Sequence, residues 1–174
     1  MTIDNSIAQW YALFVKTGEE DKVKERLEYR FAEELRILVP KRKLRERRGG
    51  IWSFNIRNIF PGYVLVNGYI DNEKYYRFKN IPGLFKLLRA GHDPLMIEPR
   101  EMEYIAKLTI NSEIIGISEV LIENEKIIVV DGPLTSMEGL IESIDRRKGR
   151  AKVRLHFMGE ERTVELGISL VKPV

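Results

Sequence analysis

Two short runs of basic side chains are the strongest candidates for a binding site in this sequence. The run KRKLRERR at residues 41–48 holds six cations and one Glu, and RRKGRAKVR at residues 146–154 holds six cations and no acid. Clustered Lys and Arg bind phosphate groups, because each neutralised phosphate releases condensed counterions. A charge run can also be plain solvated surface, but two runs in 174 residues favour nucleic-acid binding. The candidate residues are Lys41, Arg42, Lys43, Arg45, Arg47 and Arg48 in the first run, and Arg146, Arg147, Lys148, Arg150, Lys152 and Arg154 in the second.

The residue types that most enzymes and metal sites need are scarce. The sequence has no cysteine, and its two histidines, His92 and His156, lie far apart. Thiolate zinc sites, disulfides and cysteine nucleophiles are therefore excluded, and a multi-histidine metal site is not expected. The sequence contains no Walker loop, H-E-x-x-H or G-x-S-x-G motif. We predict a protein that is not an enzyme and that takes no cofactor and no metal ion.

The composition, 44% hydrophobic and 32% charged, is that of a soluble globular protein. The longest strictly apolar run, Trp10–Val15, is far shorter than the roughly 20 residues of a membrane-spanning helix. The opening segment MTIDNSIAQW has no basic stretch and no hydrophobic signal core. We therefore expect a cytoplasmic protein without a membrane association, and a monomer.

Hydrophobic periodicity predicts an amino-terminal α/β domain over residues 1–110. The continuous apolar run Trp10–Val15 indicates a central strand covered on both faces. Thr17 and Glu20 form a T-x-x-E capping box, followed by a helix of three to four turns with apolar residues every four positions. The remaining predicted elements are a hairpin from 37–44 and 51–58 with the first basic run at its tip, strands at 60–70 and 84–88, and helices at 71–80 and from near Pro99.

The helical period disappears after the predicted linker, residues 111–119. Within the predicted domain 120–174, short strands at 126–130, 139–144, 150–157 and 162–166 indicate a small five-stranded β-barrel.

Residues 150–157 alternate apolar and charged side chains. Because successive side chains of a strand point to opposite faces, this pattern predicts a core face and a basic face along one strand.

Four segments of the chain resemble the NusG family of transcription elongation factors. WYALFVKTGEE (10–20), FPGYVLV (60–66) and IPGLFKLL (81–88) resemble its amino-terminal domain, and the tail from 127 to 166 resembles its KOW domain. The resemblance implies an α+β fold. An α/β sandwich with an antiparallel-rich sheet and flanking helices would be followed by an SH3-like β-barrel of five strands.

The same resemblance implies a transcription elongation and antitermination factor that binds the clamp helices of RNA polymerase through an apolar patch. On the family pattern this patch falls on Trp10, Phe60 and Tyr63, with Leu88 as a weaker candidate. The residues alone leave Trp10 equally open to a core role, whereas Phe60 and Tyr63, beside a Pro-Gly turn, favour an interface. The first basic run would then lie near upstream or non-template DNA.

The tail departs from the general family pattern at several positions. Leu134 and Met137 stand where aromatic residues are common, and Glu160 where Arg is common. These differences argue against a ribosomal protein or a termination helicase as partner, since the family contacts both through this loop. The extra Arg side chains of residues 146–154 instead favour phosphate. The chain thus resembles a specialised paralogue, a LoaP-type processive antiterminator, with a structured RNA hairpin as the KOW ligand.

Three functions stay open from the sequence. The first is that specialised antiterminator, which accounts for both basic runs. The second is a general NusG factor that links polymerase to the ribosome or the helicase. The third is a KOW-type ribosome assembly protein, which accounts for the tail but not for FPGYVLV.

Overall fold

A computed structural model describes residues 9–172 of the chain. The segment 1–8, on which the expectation of no signal sequence partly rests, lies outside the described residues, as do residues 173 and 174. The elements are β1 (Trp10–Val15), α1 (Glu20–Phe31), β2 (Arg36–Leu38), β3 (Lys41–Arg48), β4 (Ile51–Asn58), β5 (Tyr63–Asn67), α2 (Asn72–Arg77), β6 (Leu84–Leu87), β7 (Arg89–Ala90), β8 (Asp93–Pro94), α3 (Pro99–Leu108), β9 (Ile114–Ile115), β10 (Ser118–Glu123), β11 (Lys126–Asp131), β12 (Ile141–Asp145), β13 (Arg150–Phe157) and β14 (Glu160–Leu170).

The described chain forms two compact units. The first contains the described residues through Val39 together with Phe60–Met102, and the second contains Pro40–Ile59 and the described residues from Glu103 onward. This division differs from the predicted boundaries at 110 and 120, because the hairpin β3–β4 falls in the second unit. Its strand β3 pairs in parallel with β9, a strand inside the predicted linker.

A four-stranded sheet in the order β2-β5-β1-β6 forms the first unit, with β1 inside the sheet as predicted. Strand β1 runs antiparallel to both of its neighbours. Leu13 and Val15 of this strand pack in the core with Val23, Leu27 and Phe31, the predicted apolar face of α1. Helix α1 has 12 residues, which agrees with the predicted three to four turns.

The predicted capping box at the start of α1 is wrong. The helix begins at Glu20, and its N-cap residue, Glu19, makes no side-chain capping bond. The Glu20 carboxylate is buried and accepts hydrogen bonds from the N–H groups of Gly18 (2.6 Å) and Gly62 (3.0 Å). Because Gly62 is 42 residues further along the chain, a pattern confined to residues 17–20 could not reveal this arrangement.

The second unit contains a five-stranded sheet in the order β11-β10-β14-β13-β12. Four of its strands match the predicted ones, and the fifth, β10, begins at Ser118 inside the predicted linker. The alternation predicted for β13 is confirmed, since Ala151, Val153, Leu155 and Phe157 are buried and alternate with less buried residues.

The hairpin of the second unit consists of β3 and β4, which pair antiparallel from Lys41↔Asn58 to Arg48↔Ile51 around the turn Gly49–Gly50. The prediction of a hairpin with its second strand at 51–58 is confirmed, but the predicted first strand, 37–44, is wrong, because it spans β2 and only the first half of β3. The cations occupy the whole of β3 rather than the tip, because Pro40 separates β2 from β3 and starts the hairpin strand at Lys41. No helix among the described residues is long and apolar enough to span a membrane.

Candidate functional site

Three aromatic side chains form an exposed cluster on the sheet of the first unit. The ring of Phe14 lies 5.8 Å from that of Tyr63, edge to face, and 5.6 Å from that of Phe85. Phe14 is 37% exposed and Phe85 is 62% exposed. The prediction that β1 is covered on both faces is therefore wrong at Phe14. Large rings that stay accessible in this way are typical anchors of protein interfaces.

The turn before β5 positions this aromatic cluster. Phe14 and Tyr63 are direct cross-strand partners. The preceding residue, Gly62, has φ = +88°, and a Cβ there would lie 3.3 Å from the Thr17 hydroxyl and 3.8 Å from the Phe14 ring. Glycine is needed at a position with this φ and this little space. The Gly62 N–H donates to buried Glu20, which ties the turn to the start of α1.

The structure does not bring the four sequence-predicted apolar residues together. Phe60 is only 2% exposed and belongs to the core, so its predicted exposure is wrong. Trp10 is four residues from Phe14 along β1, about 13 Å at roughly 3.3 Å per residue, and lies outside the aromatic cluster. It sits opposite Asn67, with the Arg36 guanidinium 5.8 Å from its ring. Leu88 is half-buried, and its N–H donates to the carbonyl of Ala12.

Sequence reasoning missed two members of the aromatic cluster, Phe14 and Phe85. The unbroken apolar run of β1 concealed the alternation that leaves Phe14 on the accessible face. A usable signal existed, because IPGLFKLL repeats the arrangement of FPGYVLV, an aromatic residue shortly after a Pro-Gly turn.

On one face of the hairpin of the second unit, cations of β3 lie opposite apolar side chains of β4. The register sets Lys43 opposite Ile56, Arg45 opposite Phe54 and Arg47 opposite Trp52. Each of the first two cations leans diagonally toward the tip: Lys43 Nζ lies 4.8 Å from the Phe54 ring, and the Arg45 guanidinium lies 4.4 Å from the Trp52 ring. We call this surface the hairpin face; its members are Lys43, Arg45, Arg47, Trp52, Phe54 and Ile56.

The remaining cations of the first basic run lie apart from the hairpin face or are engaged. Lys41 is 9% exposed, with its ammonium 3.6 Å from the Glu113 carboxylate. Burial lowers the pKa of the Arg42 guanidinium, an effect that nearby Glu165 partly opposes. Arg48 is exposed on the opposite face of the strand.

The single acid of the first basic run, Glu46, is also on the opposite face. Arg57 donates to both of its carboxylate oxygens, at 2.8 and 3.4 Å. This hydrogen bonding, more than any other effect, lowers the pKa of Glu46. The strands β3 and β4, which are fully described, therefore place no acidic side chain on the hairpin face.

The outward face of β13 is mixed in charge, contrary to the predicted basic face. Lys152 is opposite Glu165 and His156 is opposite Glu161, both on β14. On β12, Asp145 is opposite Arg150. Directly paired residues share a face of an antiparallel sheet, so these carboxylates lie among the cations. Alternation along one strand could not show what the neighbouring strands contribute.

Arg150 is held within the second unit. Its guanidinium pairs with the Glu165 carboxylate at 2.7 Å and donates to the backbone carbonyl of Arg45 at 3.1 Å. A Cβ at Gly167 would lie 2.5 Å from the carbonyl oxygen of Lys43, so glycine permits this close approach of β14 to β3. With its side chain 14% exposed, Arg150 supports the fold more than it offers a charge to a ligand.

The turn between β12 and β13 carries the accessible cations of the second basic run. Arg146, Arg147 and Lys148 are all exposed. The Asp145 side chain accepts a hydrogen bond from the Lys148 N–H at 2.9 Å, which fixes the turn. Three adjacent exposed cations on a defined turn can bind phosphate groups.

Leu134 and Met137 are 0% and 7% exposed, so they are core residues of the second unit. The exposed positions of the same loop are Thr135 and Ser136, which are small and polar. Within residues 9–172, no group of three or more carboxylate, imidazole or thiol side chains could hold a metal ion.

An exposed aromatic cluster on one unit and cation-rich surfaces on the other are typical of α+β proteins that bind macromolecules. Known proteins define the class further. The family described as transcription termination factor NusG matches residues 8–106. The chain is 32% identical to the transcription termination/antitermination protein NusG of Bacillus subtilis, over 90% of this chain and 93% of that protein.

Two further similarities agree with that family. The NusG protein of Rickettsia felis is 28% identical over 97% of this chain and 92% of its own length. A solved structure on domain interaction in Thermotoga maritima NusG matches with a TM-score of 0.58 and 24% identity, over 91% of this chain and 93% of that one, which shows the fold. The chain therefore belongs to the NusG family of transcription termination and antitermination factors, and the predicted α+β fold class is confirmed.

Proposed function

We propose that this NusG-family protein is a specialised antitermination factor that binds RNA polymerase through its first unit and nucleic acid through its second. The observation that carries the proposal is the aromatic cluster Phe14, Tyr63 and Phe85. These rings make an apolar surface of the kind that an amphipathic helix pair such as the polymerase clamp helices could cover. Trp10, Phe60 and Leu88 then support the sheet that presents the cluster rather than form its centre.

The RNA-binding part of the proposal centres on the turn Arg146–Lys148. Arg offers a planar, bidentate donor set that suits phosphate and guanine. Lys152 and Arg154 extend this surface along β13, but Glu165 and Glu161 weaken the field there. The expected ligand is an RNA hairpin with a bulge, loop or end, since an unbroken A-form major groove does not admit side chains.

The first basic run is proposed to contact nucleic acid near the polymerase, upstream or non-template DNA. A specialised role rather than a general one is supported by the loop at Leu134 and Met137. Both residues are buried, so the loop presents Thr135 and Ser136 instead of aromatic rings to a ribosomal protein or a helicase.

The test is the affinity of the full chain for purified RNA polymerase. Tyr63→Ala and Phe85→Ala should each weaken binding by about 2 kcal/mol, the usual size of an interface hot spot. Tyr29→Ala is the matched control, because Tyr29 is a fully accessible aromatic of the same unit outside the cluster. Equal affinities for all three variants would refute the polymerase assignment.

A second measurement tests the specialised role. Genome-wide occupancy of the protein should be confined to a few transcription units. Their leader RNAs should bind the full chain more tightly than scrambled hairpins do, and Arg147→Ala should reduce that preference. Occupancy of most transcription units would instead identify a general elongation factor.

A further inference from the structure

We propose that the hairpin face is a stacking surface for single-stranded nucleic acid, with Trp52 and Phe54 receiving bases and Lys43, Arg45 and Arg47 receiving phosphates. The inference deepens the proposed contact of the hairpin with nucleic acid. It specifies the strandedness of the ligand and which half of the basic run makes the contact.

The accessibility of the apolar side chains carries the first step. Phe54 is 56% exposed and Ile56 is 44% exposed, although both lie in the middle of a regular strand. The reverse of β4 carries Ser53, Asn55 and Arg57, together with Ile51 beside the turn. Both aromatic side chains of β4, and Ile56, thus lie on the face that also carries the cations, whereas a hairpin without a ligand would gain solubility from polar residues there.

The positive charge of the hairpin face indicates which kind of ligand it can bind. Lys43, Arg45 and Arg47 carry three positive charges, and β3 and β4 place no acid beside them. An apolar protein segment would leave these cations unpaired at the centre of an interface, which is costly. A polyanion with planar apolar groups matches both features, and single-stranded nucleic acid has this composition.

The short distances between the cations of β3 and the aromatic rings of β4 favour a single strand over a duplex. The cations lie directly against the rings, at 4.8 Å for Lys43 on Phe54 and 4.4 Å for Arg45 on Trp52. A strand whose phosphates reach these cations brings its bases over the rings. In a duplex the bases are stacked inside the helix, and the exposed Phe54 and the half-buried Trp52 would contact only the sugar and phosphate groups. The geometry therefore favours unpaired bases.

The experiment measures binding of short oligonucleotides to the full chain. The probes are a mixed-sequence 12-mer of single-stranded DNA, the RNA of the same sequence, the corresponding duplex and an abasic 12-mer with the same phosphates. We expect the single strands to bind at least about tenfold more tightly than the abasic strand, since each stacked base contributes roughly 1–3 kcal/mol. The DNA and RNA arms show which of the two strands the face prefers.

Variants then locate the contact. Trp52→Ala and Phe54→Ala should each weaken single-strand binding about fivefold or more, while Trp52→Phe should restore much of it. Arg47→Gln should weaken binding more than Arg48→Gln, a matched control that removes the same charge from the opposite face. In a Trp10→Phe background, Trp52 is the remaining indole, and stacked bases should quench its fluorescence.

Several outcomes would overturn the inference. These are equal affinity for the abasic strand, tighter binding of the duplex, equal effects of Arg47→Gln and Arg48→Gln, or unchanged Trp52 fluorescence at saturation. Because this assay contains no polymerase, its failure is separable from failure of the proposed function. The variant R146Q/R147Q/K148Q should retain the Trp52 response.

Discussion

The two basic runs of this protein look alike as sequences and differ as surfaces. Each holds six cations within nine residues or fewer. The first run is the eight-residue strand β3, and the second covers the turn before β13 and the first five residues of that strand. On the hairpin, the neighbouring strand β4 contributes rings and no acid to the face that carries Lys43, Arg45 and Arg47. On β13, the neighbouring strands contribute Glu161, Glu165 and Asp145.

Whether a cation in a strand can bind an anionic ligand therefore depends on its cross-strand partners. A carboxylate directly opposite a cation cancels most of its field at a ligand, whereas an aromatic ring leaves the charge in place and adds a stacking surface. The second basic run therefore acts through its turn, Arg146–Lys148, and the first through one face of its strand.

The largest expected effect concerns the acid that β14 places beside β13. Glu165→Ala should lower the free energy of unfolding by roughly 2 kcal/mol, because the largely buried Arg150 guanidinium loses its 2.7 Å partner. Chemical denaturation of the full chain measures this change. Glu161→Ala is the control on the same strand and should change stability by less than about 0.5 kcal/mol. If the two substitutions lower the free energy of unfolding equally, Glu165 is only a surface charge and its ion pair with Arg150 does not stabilise the second unit.

A smaller effect is expected when charges are removed from the hairpin face and from the outward face of β13 and ligand binding is compared. R45Q/R47Q and K152Q/R154Q remove the same charge from the hairpin face and from β13. We expect the hairpin variant to weaken single-strand binding by about 1 kcal/mol and to reduce the log–log salt slope by about 1.4, as two lost phosphate contacts require. The β13 variant should lose less than half as much. Equal losses would show that the carboxylates of β14 do not offset their neighbouring cations.

Sequence periodicity predicted most of the fold, because the pattern that it reads is local. The central strand β1, the apolar face of α1, the second strand of the hairpin and the alternation of β13 were all predicted correctly. Each depends on side chains within one element burying an apolar face. The α+β class followed from the resemblance of whole segments.

The surfaces were predicted less well, because they depend on pairing between distant segments. The prediction of Phe60 as an exposed anchor is wrong because Phe60 is a core residue, and Phe14 and Phe85 meet only when β1 and β6 pair. The expected capping box failed because Glu20 binds the N–H of Gly62, far along the chain. The acids opposite β13 could not be predicted either, because the sequence of one strand does not determine its register with a neighbouring strand.

The smallest expected effect concerns Glu46, the acid that pairs with Arg57 on the face of the hairpin opposite to the hairpin face. Glu46 accepts two hydrogen bonds from Arg57, and this lowers its pKa below the usual 4.5. A carboxylate with a depressed folded-state pKa stabilises the fold above its unfolded pKa, and this stabilisation is lost as the pH falls through the folded-state value. Glu46→Gln should therefore cost about 0.5 kcal/mol at pH 7, the size of a solvent-accessible ion pair.

The pH dependence of that cost is the decisive measurement. Unfolding of the wild type and of Glu46→Gln should be compared from pH 7 to pH 3, and the difference in stability should shrink below about pH 4.5 as the wild-type carboxylate takes up its proton. High salt should also reduce the difference at pH 7, because both side chains are partly exposed. A difference that stays constant with pH would mean that the Glu46–Arg57 pair contributes through packing rather than charge.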